Sequence, residues 1–191
     1  MRIFIAVDID EPVRRRIGEI QRELVEATGL RKGPVKWVRP EQIHLTLKFL
    51  GEVADNAIRD VCRIAEETAR RHGPFDLEVR GLGTFGRPAR VLWAGMQVID
   101  DLAALQQDLE SLLEAAGWKR ENRAFAAHLT LCRIKNSYAG RRLAEAIGQY
   151  ESTFIGPVSV DDIVVYESQL TSAGPVYTAV CRSKLNRQQT L

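Results

Sequence analysis

Cysteine is scarce in this chain of 191 residues, and its spacing forms no familiar cross-linking pattern. Only Cys62, Cys132 and Cys181 are present, with neither a CxxC pair nor the Cys/His spacing of a zinc finger. An odd number of scattered cysteines is atypical of small disulfide-stabilised domains. The sequence therefore argues against a disulfide framework and against a structural zinc site, and a reducing cytoplasm is the expected location.

Long hydrophobic runs are also lacking. The apolar N-terminal segment is interrupted at Asp8 and leads to no small-residue cleavage site, so it predicts a first β-strand and not a secretion signal. No apolar stretch approaches the roughly 18 residues that cross a bilayer. We expect a soluble monomer without a membrane partner.

The excess of positive charge is small. Lys and Arg number 27 against 25 Asp and Glu, which gives a formal net charge of +2. Proteins that coat long nucleic acids carry a much larger basic excess because they neutralise many phosphates. A small anionic ligand or a single RNA end therefore fits better. The 45% hydrophobic and 27% charged residues are typical of a globular chain.

The hydrophobic pattern repeats one order of elements in each half of the chain: strand, helix, strand, helix, strand. We predict strands at residues 2–9, 35–38, 43–50, 75–80, 90–98, 125–134, 158–167 and 176–184, and helices at residues 11–27, 54–71, 101–116 and 139–149. The glycine-rich residues 81–88 are predicted to form a turn. The interpretation is a mixed α+β fold with two similar lobes, each an antiparallel-rich sheet flanked by helices. A nominal boundary near residue 90 would leave a ligand cleft between the lobes.

The tetrapeptide His-Leu-Thr-Leu occurs twice, at residues 44–47 and 128–131. Two of the three histidines of the chain are the first residues of these two motifs. Side chains alternate along a strand, so each copy is predicted to present its His and Thr on one face and its leucines to the core. The functional candidates are thus His44 with Thr46, and His128 with Thr130. His72, beside Gly73-Pro74, lacks the pattern and is expected to be a surface or capping residue.

This set of groups suits phosphodiester hydrolysis. Since histidine titrates near pH 6.5, one ring can accept a proton while the other donates one. The threonine hydroxyls can hydrogen-bond to the non-bridging phosphate oxygens. No metal is needed. The alternative for a single copy is an ordinary amphipathic strand with a core histidine, but a repeated tetrapeptide in two strand-like contexts favours the catalytic interpretation.

Neighbouring residues leave alternatives open. Arg133 can reach a phosphate, although simple alternation places it on the leucine face. Lys48 is predicted on the histidine face, either as an electrostatic contributor or as a solvated side chain. Four aromatic residues can stack a base or belong to the core: Phe4, Trp37, Phe49 and Trp93. The arginines at residues 14–16 and 70–71 are expected on solvated helix faces, with RNA contact as the alternative.

At these positions the chain resembles the bacterial and archaeal RNA 2',3'-cyclic phosphodiesterases, also called 2',5' RNA ligases, of the two-histidine (2H, HxTx) phosphoesterase superfamily. The similarity covers residues 2–7, 35–51, 128–134 and 167–170, the pair Gly174-Pro175, and Tyr177. One departure is Ala127, which stands where these proteins commonly have proline before the second histidine. The chemistry of the motif is unaffected, because alanine can adopt the same extended backbone.

The resemblance implies hydrolysis of a 2',3'-cyclic phosphate at an RNA 3' end to a 2'-phosphate, with weak reverse 2',5' ligation. It implies a bilobal fold, no metal or nucleotide cofactor, His44 as proton donor and His128 as proton acceptor. Thr46, Thr130 and Arg133 would bind the phosphate. The expected partners are RNA 3' ends or nucleotide cyclic phosphates. The alternatives are a 2H enzyme acting on small cyclic nucleotide phosphates or 2',5'-oligoadenylate, a non-catalytic binding module, and a two-histidine metal site.

Overall fold

Apolar periodicity and end signals position the helices as the sequence predicts. The first helix buries Val13, Ile17, Ile20 and Leu24 on one face, and it ends where Gly29 adopts a left-handed conformation with φ of 70°. The computed structural model describes residues 1–172 and 174–186. Its strands are β1 Arg2–Asp8, β2 Val35–Trp37, β3 His44–Glu52, β4 Phe75–Phe85, β5 Val91–Met96, β6 His128–Ile134, β7 Phe154–Val160, β8 Asp162–Thr171 and β9 Gly174–Lys184; its helices are α1 Glu11–Thr28, α2 Ile58–Arg71, α3 Asp100–Ala115 and α4 Ser137–Ala146.

The strands form one antiparallel sheet with two similar halves. The strand order is β7-β4-β5-β6-β3-β1-β8-β9, and β2 pairs with β6 beside this path. The two motif strands, β3 and β6, are neighbours at the centre, where Leu45 pairs with Leu129. Each half of the sheet therefore meets the other half at its own motif strand. The two motif strands run antiparallel to each other. The predicted mixed α+β fold with two lobes is confirmed.

The helices are divided between the two halves of the sheet. Helix α1 contacts β7 and α4, whereas α2 contacts β8, β9 and α3. The two halves of the sheet do not correspond to the two halves of the chain. β4 precedes residue 90 but pairs with β5 and β7, which follow it, and β8 lies near the end of the chain but pairs with β1. Residue 90 lies between β4 and β5, and a boundary there stays a prediction. None of the described helices is both long and apolar enough to cross a membrane.

Strand β4 continues through Phe85, so the turn predicted at residues 81–88 begins too early. The glycines of this segment suggested the turn, but two of them have other roles in the sheet. Gly81 adopts a positive φ of 71° beside a register shift between β4 and β5. At Gly83 an added Cβ would collide with the indole of Trp93 on β5. These glycines therefore allow a bulge and a close approach within a strand.

The strand predicted at residues 158–167 is two strands that belong to different halves of the sheet. β7 ends at Val160 and pairs with β4, and β8 begins at Asp162 and pairs with β1 and β9. No glycine or proline lies at residues 158–167, and buried valines and isoleucine continue on both sides. The apolar pattern predicts an extended backbone here, but it contains no signal for the change of pairing partner.

The expectation about cysteines was wrong for one pair. Cys62 on α2 and Cys181 on β9 form a disulfide across 119 residues of sequence. Local spacing could not reveal it, because only the packing of α2 on β9 brings the two residues together. Cys132 is free and buried, and burial raises the pKa of its thiol to about 12. Disulfides are rare in the cytosol of most organisms. The cysteines therefore no longer support a cytoplasmic location, which stays a prediction.

Lys48 was predicted on the histidine face, and this was also wrong. Its side chain is buried with Glu110 of α3, where the ammonium donates to Oε1 at 2.7 Å and to Oε2 at 2.8 Å. A third hydrogen bond reaches the carbonyl of Lys119 at 2.9 Å. All three N–H donors are therefore used. The pair links the first motif strand to α3 and lies in the core, away from the candidate site.

Removing one partner of this pair is expected to destabilise the protein strongly. In Lys48→Met the carboxylate of Glu110 stays buried without its cation, which should lower the free energy of unfolding by about 3–5 kcal/mol. Urea unfolding, with the slope of the transition unchanged, measures this loss. The double variant Lys48→Met/Glu110→Leu should recover most of it. Arg63→Met, which breaks an exposed pair with Asp60, should cost less than about 1 kcal/mol. A double variant as unstable as Lys48→Met would contradict this account.

Candidate active site

The two motifs meet at the centre of the sheet and face the same cleft. Leu45 and Leu129 are buried and paired. In this antiparallel register His44 lies across from Thr130, and Thr46 lies across from His128. All four polar side chains project from the face opposite the leucines and line one cleft. The strand alternation predicted from the sequence therefore brings two His-Thr pairs together.

Both imidazoles are held in the same way by the backbone. Nδ1 of His44 lies 2.8 Å from the carbonyl oxygen of Gln42, and Nδ1 of His128 lies 2.7 Å from that of Ala126. A carbonyl oxygen can only accept, so Nδ1 must carry the hydrogen in each ring. Nε2 is thus the nitrogen left for proton transfer, and the neutral ring can accept a proton there.

A bulge in each motif strand changes which later residue faces the cleft. Leu47 is the extra residue in the pairing of β3 with β1, and Leu131 is the extra residue in the pairing of β6 with β5. Alternation restarts after a bulge. Phe49 and Arg133, each three residues past the motif threonine, therefore lie on the histidine face and line the cleft. This explains why Arg133 is not on the leucine face.

His44 is enclosed by aromatic rings and lies near a fixed negative charge. Phe4 stacks on its ring at 4.7 Å between centroids, and Tyr177 meets it edge-on at 5.3 Å. Asp8 is its register partner on β1. Burial lowers the pKa of His44. The Gln42 carbonyl and the Asp8 carboxylate raise this pKa, but their effects are smaller. The protonated ring is therefore disfavoured by burial and favoured by Asp8.

The carboxylate of Asp8 is itself held in place. It accepts hydrogen bonds from the hydroxyl of Tyr166 and from the guanidinium of Arg182, both at 2.7 Å. Burial alone would raise the pKa of Asp8, but these hydrogen bonds bring it below the ordinary value. Asp8 thus stays ionised beside His44 at neutral pH.

The surroundings of His128 differ from those of His44. Its register partner on β5 is Gly95, so no carboxylate stands where His44 has Asp8. Phe85 contacts its ring edge-on at 4.9 Å between centroids. Two chemically equivalent motifs therefore have unequal environments: His44 is enclosed near an acid, and His128 lies beside a single aromatic ring and a glycine.

The cleft combines positive charge with aromatic surface. It has a volume of about 500 Å³, and four cationic residues line it: Arg2, Lys36, Arg39 and Arg133. No Asp or Glu among the described residues lines it. Phe49 is 61% exposed there. Burial raises the pKa of Tyr177, against a smaller opposite effect of Arg133 and Arg2. This lining suits a ligand with a phosphate and a planar base.

Comparison with known proteins agrees with this geometry. The family model described as LigT like phosphoesterase matches residues 7–93 and 96–177. The chain belongs to the LigT-like phosphoesterases. An RNA 2',3'-cyclic phosphodiesterase of Methanothermobacter thermautotrophicus is 36% identical over 180 residues, covering 93% of this chain and 95% of that protein. One of Archaeoglobus fulgidus is 34% identical over 180 residues, covering 93% and 96%.

Solved structures give the same result. Escherichia coli LigT complexed with 3'-AMP matches this LigT-like phosphoesterase with a TM-score of 0.79 and 28% identity, covering 97% of this chain and 98% of that one. The same protein complexed with phosphate matches with a TM-score of 0.74 and 26% identity, over 97% and 98%. The resemblance inferred from the repeated tetrapeptide is thus confirmed at the level of family and fold.

The other candidates of this LigT-like phosphoesterase divide between cleft and scaffold. Phe4, Trp37 and Phe49 line the cleft, whereas Trp93 packs against Phe85 at 5.3 Å between centroids. His72 is the C-cap of α2 and pairs with Asp108 at 3.2 Å, which confirms its predicted capping place. Arg70 and Arg71 form ion pairs with glutamates one helical turn earlier, as expected for a solvated helix face.

Sequence reasoning did not single out several charged or aromatic residues of the cleft as site residues: Arg2, Lys36, Arg39, Phe85 and Tyr177. They come from β1, β2, the segment after β2, β4 and β9, and no local pattern joins them. Lys36 lies across from Arg133 because β2 pairs with β6, and the pairing of so short a strand leaves no signal in the sequence. Among the described residues no group of three or more His, Cys, Asp or Glu could hold a metal ion.

Proposed function

We propose that this protein hydrolyses the 2',3'-cyclic phosphate at an RNA 3' end to a 2'-phosphate, with His44 and His128 as acid and base. The observation that carries the proposal is the meeting of two His-Thr pairs in one cleft, with both rings anchored through Nδ1. The cationic lining without Asp or Glu supports an anionic substrate. RNA 3' ends or nucleotide cyclic phosphates are the partners we propose.

The reaction is a single displacement at phosphorus. Nε2 of His128 accepts a proton from water as the water oxygen bonds to phosphorus. The bond from phosphorus to the 3' oxygen breaks, and Nε2 of His44 donates its proton to that oxygen. Hydroxyls of Thr46 and Thr130 donate hydrogen bonds to the non-bridging oxygens, and Arg133 offsets their growing negative charge. If an RNA 5' hydroxyl attacks the cyclic phosphate in place of water, its proton passes to His128, the bond from phosphorus to the 3' oxygen breaks in the same way, and a 2',5' linkage forms.

The carboxylate of Asp8 and the charge of the bound substrate support the assignment of His44 as the donor. A donor must be protonated when substrate is bound, and burial opposes this at His44. Asp8 favours the protonated ring, and the negative charge of a bound cyclic phosphate acts in the same direction. His128 has Gly95 as its register partner, so the neighbouring strand supplies no carboxylate at this position. No cofactor enters this scheme.

Product analysis tests the proposed function. We expect an oligonucleotide that ends in a 2',3'-cyclic phosphate to be converted to the 2'-phosphate in the presence of EDTA, at an unchanged rate, because the two histidines perform both proton transfers. Resistance of the product to periodate and its release of phosphate by phosphatase show that the ring has opened to a terminal 2'- or 3'-monophosphate. Synthetic 2'- and 3'-phosphate standards then distinguish the two isomers by chromatography. Absence of turnover, or turnover that requires added metal, would overturn the proposal.

A further inference from the structure

A second cavity adjoins the main cleft at His44. It has a volume of about 330 Å³, and it shares five lining residues with the main cleft: Arg39, Gln42, Ile43, His44 and Tyr177. Gln42 is held in place because its side-chain amide donates to the carbonyl of Pro175. The two spaces are thus neighbours that share His44, so a ligand that reaches His44 from the cleft can extend into the second cavity.

Arg14 gives this cavity an unused cationic donor. It lies in the first turns of α1, is half-buried and lines the cavity. Its Nε is buried and has no hydrogen-bond partner among the described residues. A buried donor without a partner is costly and commonly marks a place where a ligand or water binds. The next residue, Arg15, is exposed and lines neither space.

The acidic residues of this cavity leave that donor available. Asp8 already accepts hydrogen bonds from Tyr166 and Arg182, and Glu41 is exposed. Within the described part of the chain neither carboxylate forms an ion pair with Arg14 or with Arg39, whose Nε reaches only Gln42 at 3.4 Å. Two arginines therefore face the cavity without carboxylate partners.

The bonding within the ribose indicates which part of an RNA would enter the second cavity. His44 is placed beside the 3' oxygen in the reaction proposed above. The carbon that bears this oxygen is bonded to C4', and C4' carries the 5' arm with the phosphodiester to the preceding nucleotide. The base is attached to C1', on the opposite side of the sugar. The side of the nucleotide nearest His44 is therefore the side that continues into the RNA chain.

We propose that the second cavity binds the phosphodiester that joins the terminal nucleotide to the one before it, with Arg14 and Arg39 as its cationic partners. This inference rests on the proposed function and specifies its substrate class: RNA chains are preferred over mononucleoside 2',3'-cyclic phosphates. Charge-assisted hydrogen bonds from an arginine to a phosphate should raise kcat/KM by roughly tenfold to 100-fold for the longer substrate.

The experiment compares cytidine 2',3'-cyclic phosphate with the dinucleotide CpC that ends in the same cyclic phosphate. The ratio of their kcat/KM values is measured for the wild type, Arg14→Gln and Arg15→Gln. Both substrates undergo the same reaction at His44, so any effect of Arg14 on that ring cancels in the ratio. A third substrate, the dinucleotide with a neutral methylphosphonate in place of its internal phosphodiester, removes the charge that Arg14 would bind.

We expect the wild-type preference for the dinucleotide to fall about tenfold or more in Arg14→Gln and to stay intact in Arg15→Gln. The neutral linkage should lower the wild-type ratio at least to the same extent, because it removes the charge that both Arg14 and Arg39 would bind, and it should make wild type and Arg14→Gln alike. A wild type without preference, or an Arg14→Gln variant that keeps the wild-type ratio, would overturn the inference while leaving the proposed function intact. Failure to hydrolyse either cyclic phosphate would overturn the proposed function and this inference with it.

Discussion

Replacing either motif histidine by alanine is expected to lower kcat/KM on a cyclic-phosphate RNA by roughly 100- to 10,000-fold, because each positioned proton transfer contributes a factor of that size. His44 and His128 are anchored alike through Nδ1, so both losses should be large. Initial rates on a short RNA with a 2',3'-cyclic phosphate measure them. Thermal unfolding of each variant shows whether the fold is retained.

The third histidine supplies a matched control. His72 caps α2 and pairs with Asp108, outside the cleft, so His72→Ala should keep the wild-type kcat/KM. The two catalytic losses should not add, because an acid and a base that act in one step fail as a unit. A double variant His44→Ala/His128→Ala no slower than either single variant is the expected outcome. A folded His44→Ala or His128→Ala with nearly wild-type activity would show that the histidines do not carry the reaction.

Patterns within short stretches of sequence predicted the elements whose structure depends mainly on neighbouring residues. Helix α1 follows from its apolar spacing and from Gly29 at its end. The faces of the motif strands follow from alternation, which placed His44 and Thr46 opposite buried leucines. The repeated tetrapeptide also predicted that two such faces belong to one site. The first two inferences need only residues within a few positions of one another, and the third uses the repetition of one short motif.

The features that could not be predicted from the sequence depend on pairing between strands that are distant along the chain. The extra residues Leu47 and Leu131 are visible only against the partner strands β1 and β5. They bury Lys48 and bring Phe49 and Arg133 to the cleft, so simple alternation failed from the end of each motif onward. Both bulges occur at the second leucine of the tetrapeptide, and thus the two halves depart from the regular strand pattern in the same way.

The change of strand partner at residue 161 and the disulfide between Cys62 and Cys181 have a similar physical origin. The backbone stays extended from β7 into β8, and the apolar pattern continues, although the pairing moves to the other half of the sheet. The two cysteines come together only because α2 packs on β9. Arg14, predicted on a solvated helix face, lines a cavity for the same reason, since its surroundings come from other elements.

The most direct test of the acid and base roles is a substrate whose 3' leaving oxygen is replaced by sulfur. A thiolate is a far weaker base than an alkoxide and leaves without a proton. A variant that lacks the proton donor should therefore be rescued by this substrate, whereas a variant that lacks the base should not, because the attacking water is unchanged. Rates of the wild type, His44→Ala and His128→Ala are measured on the oxygen and sulfur forms of one cyclic phosphate.

We expect His44→Ala to lose roughly 100-fold or more relative to wild type on the oxygen substrate and less than about tenfold on the sulfur substrate. His128→Ala should lose the full factor on both. Rescue of His128→Ala in place of His44→Ala would reverse the two roles. Equal losses for both variants on both substrates would contradict the central claim that one histidine of the repeated motif gives a proton while the other takes one.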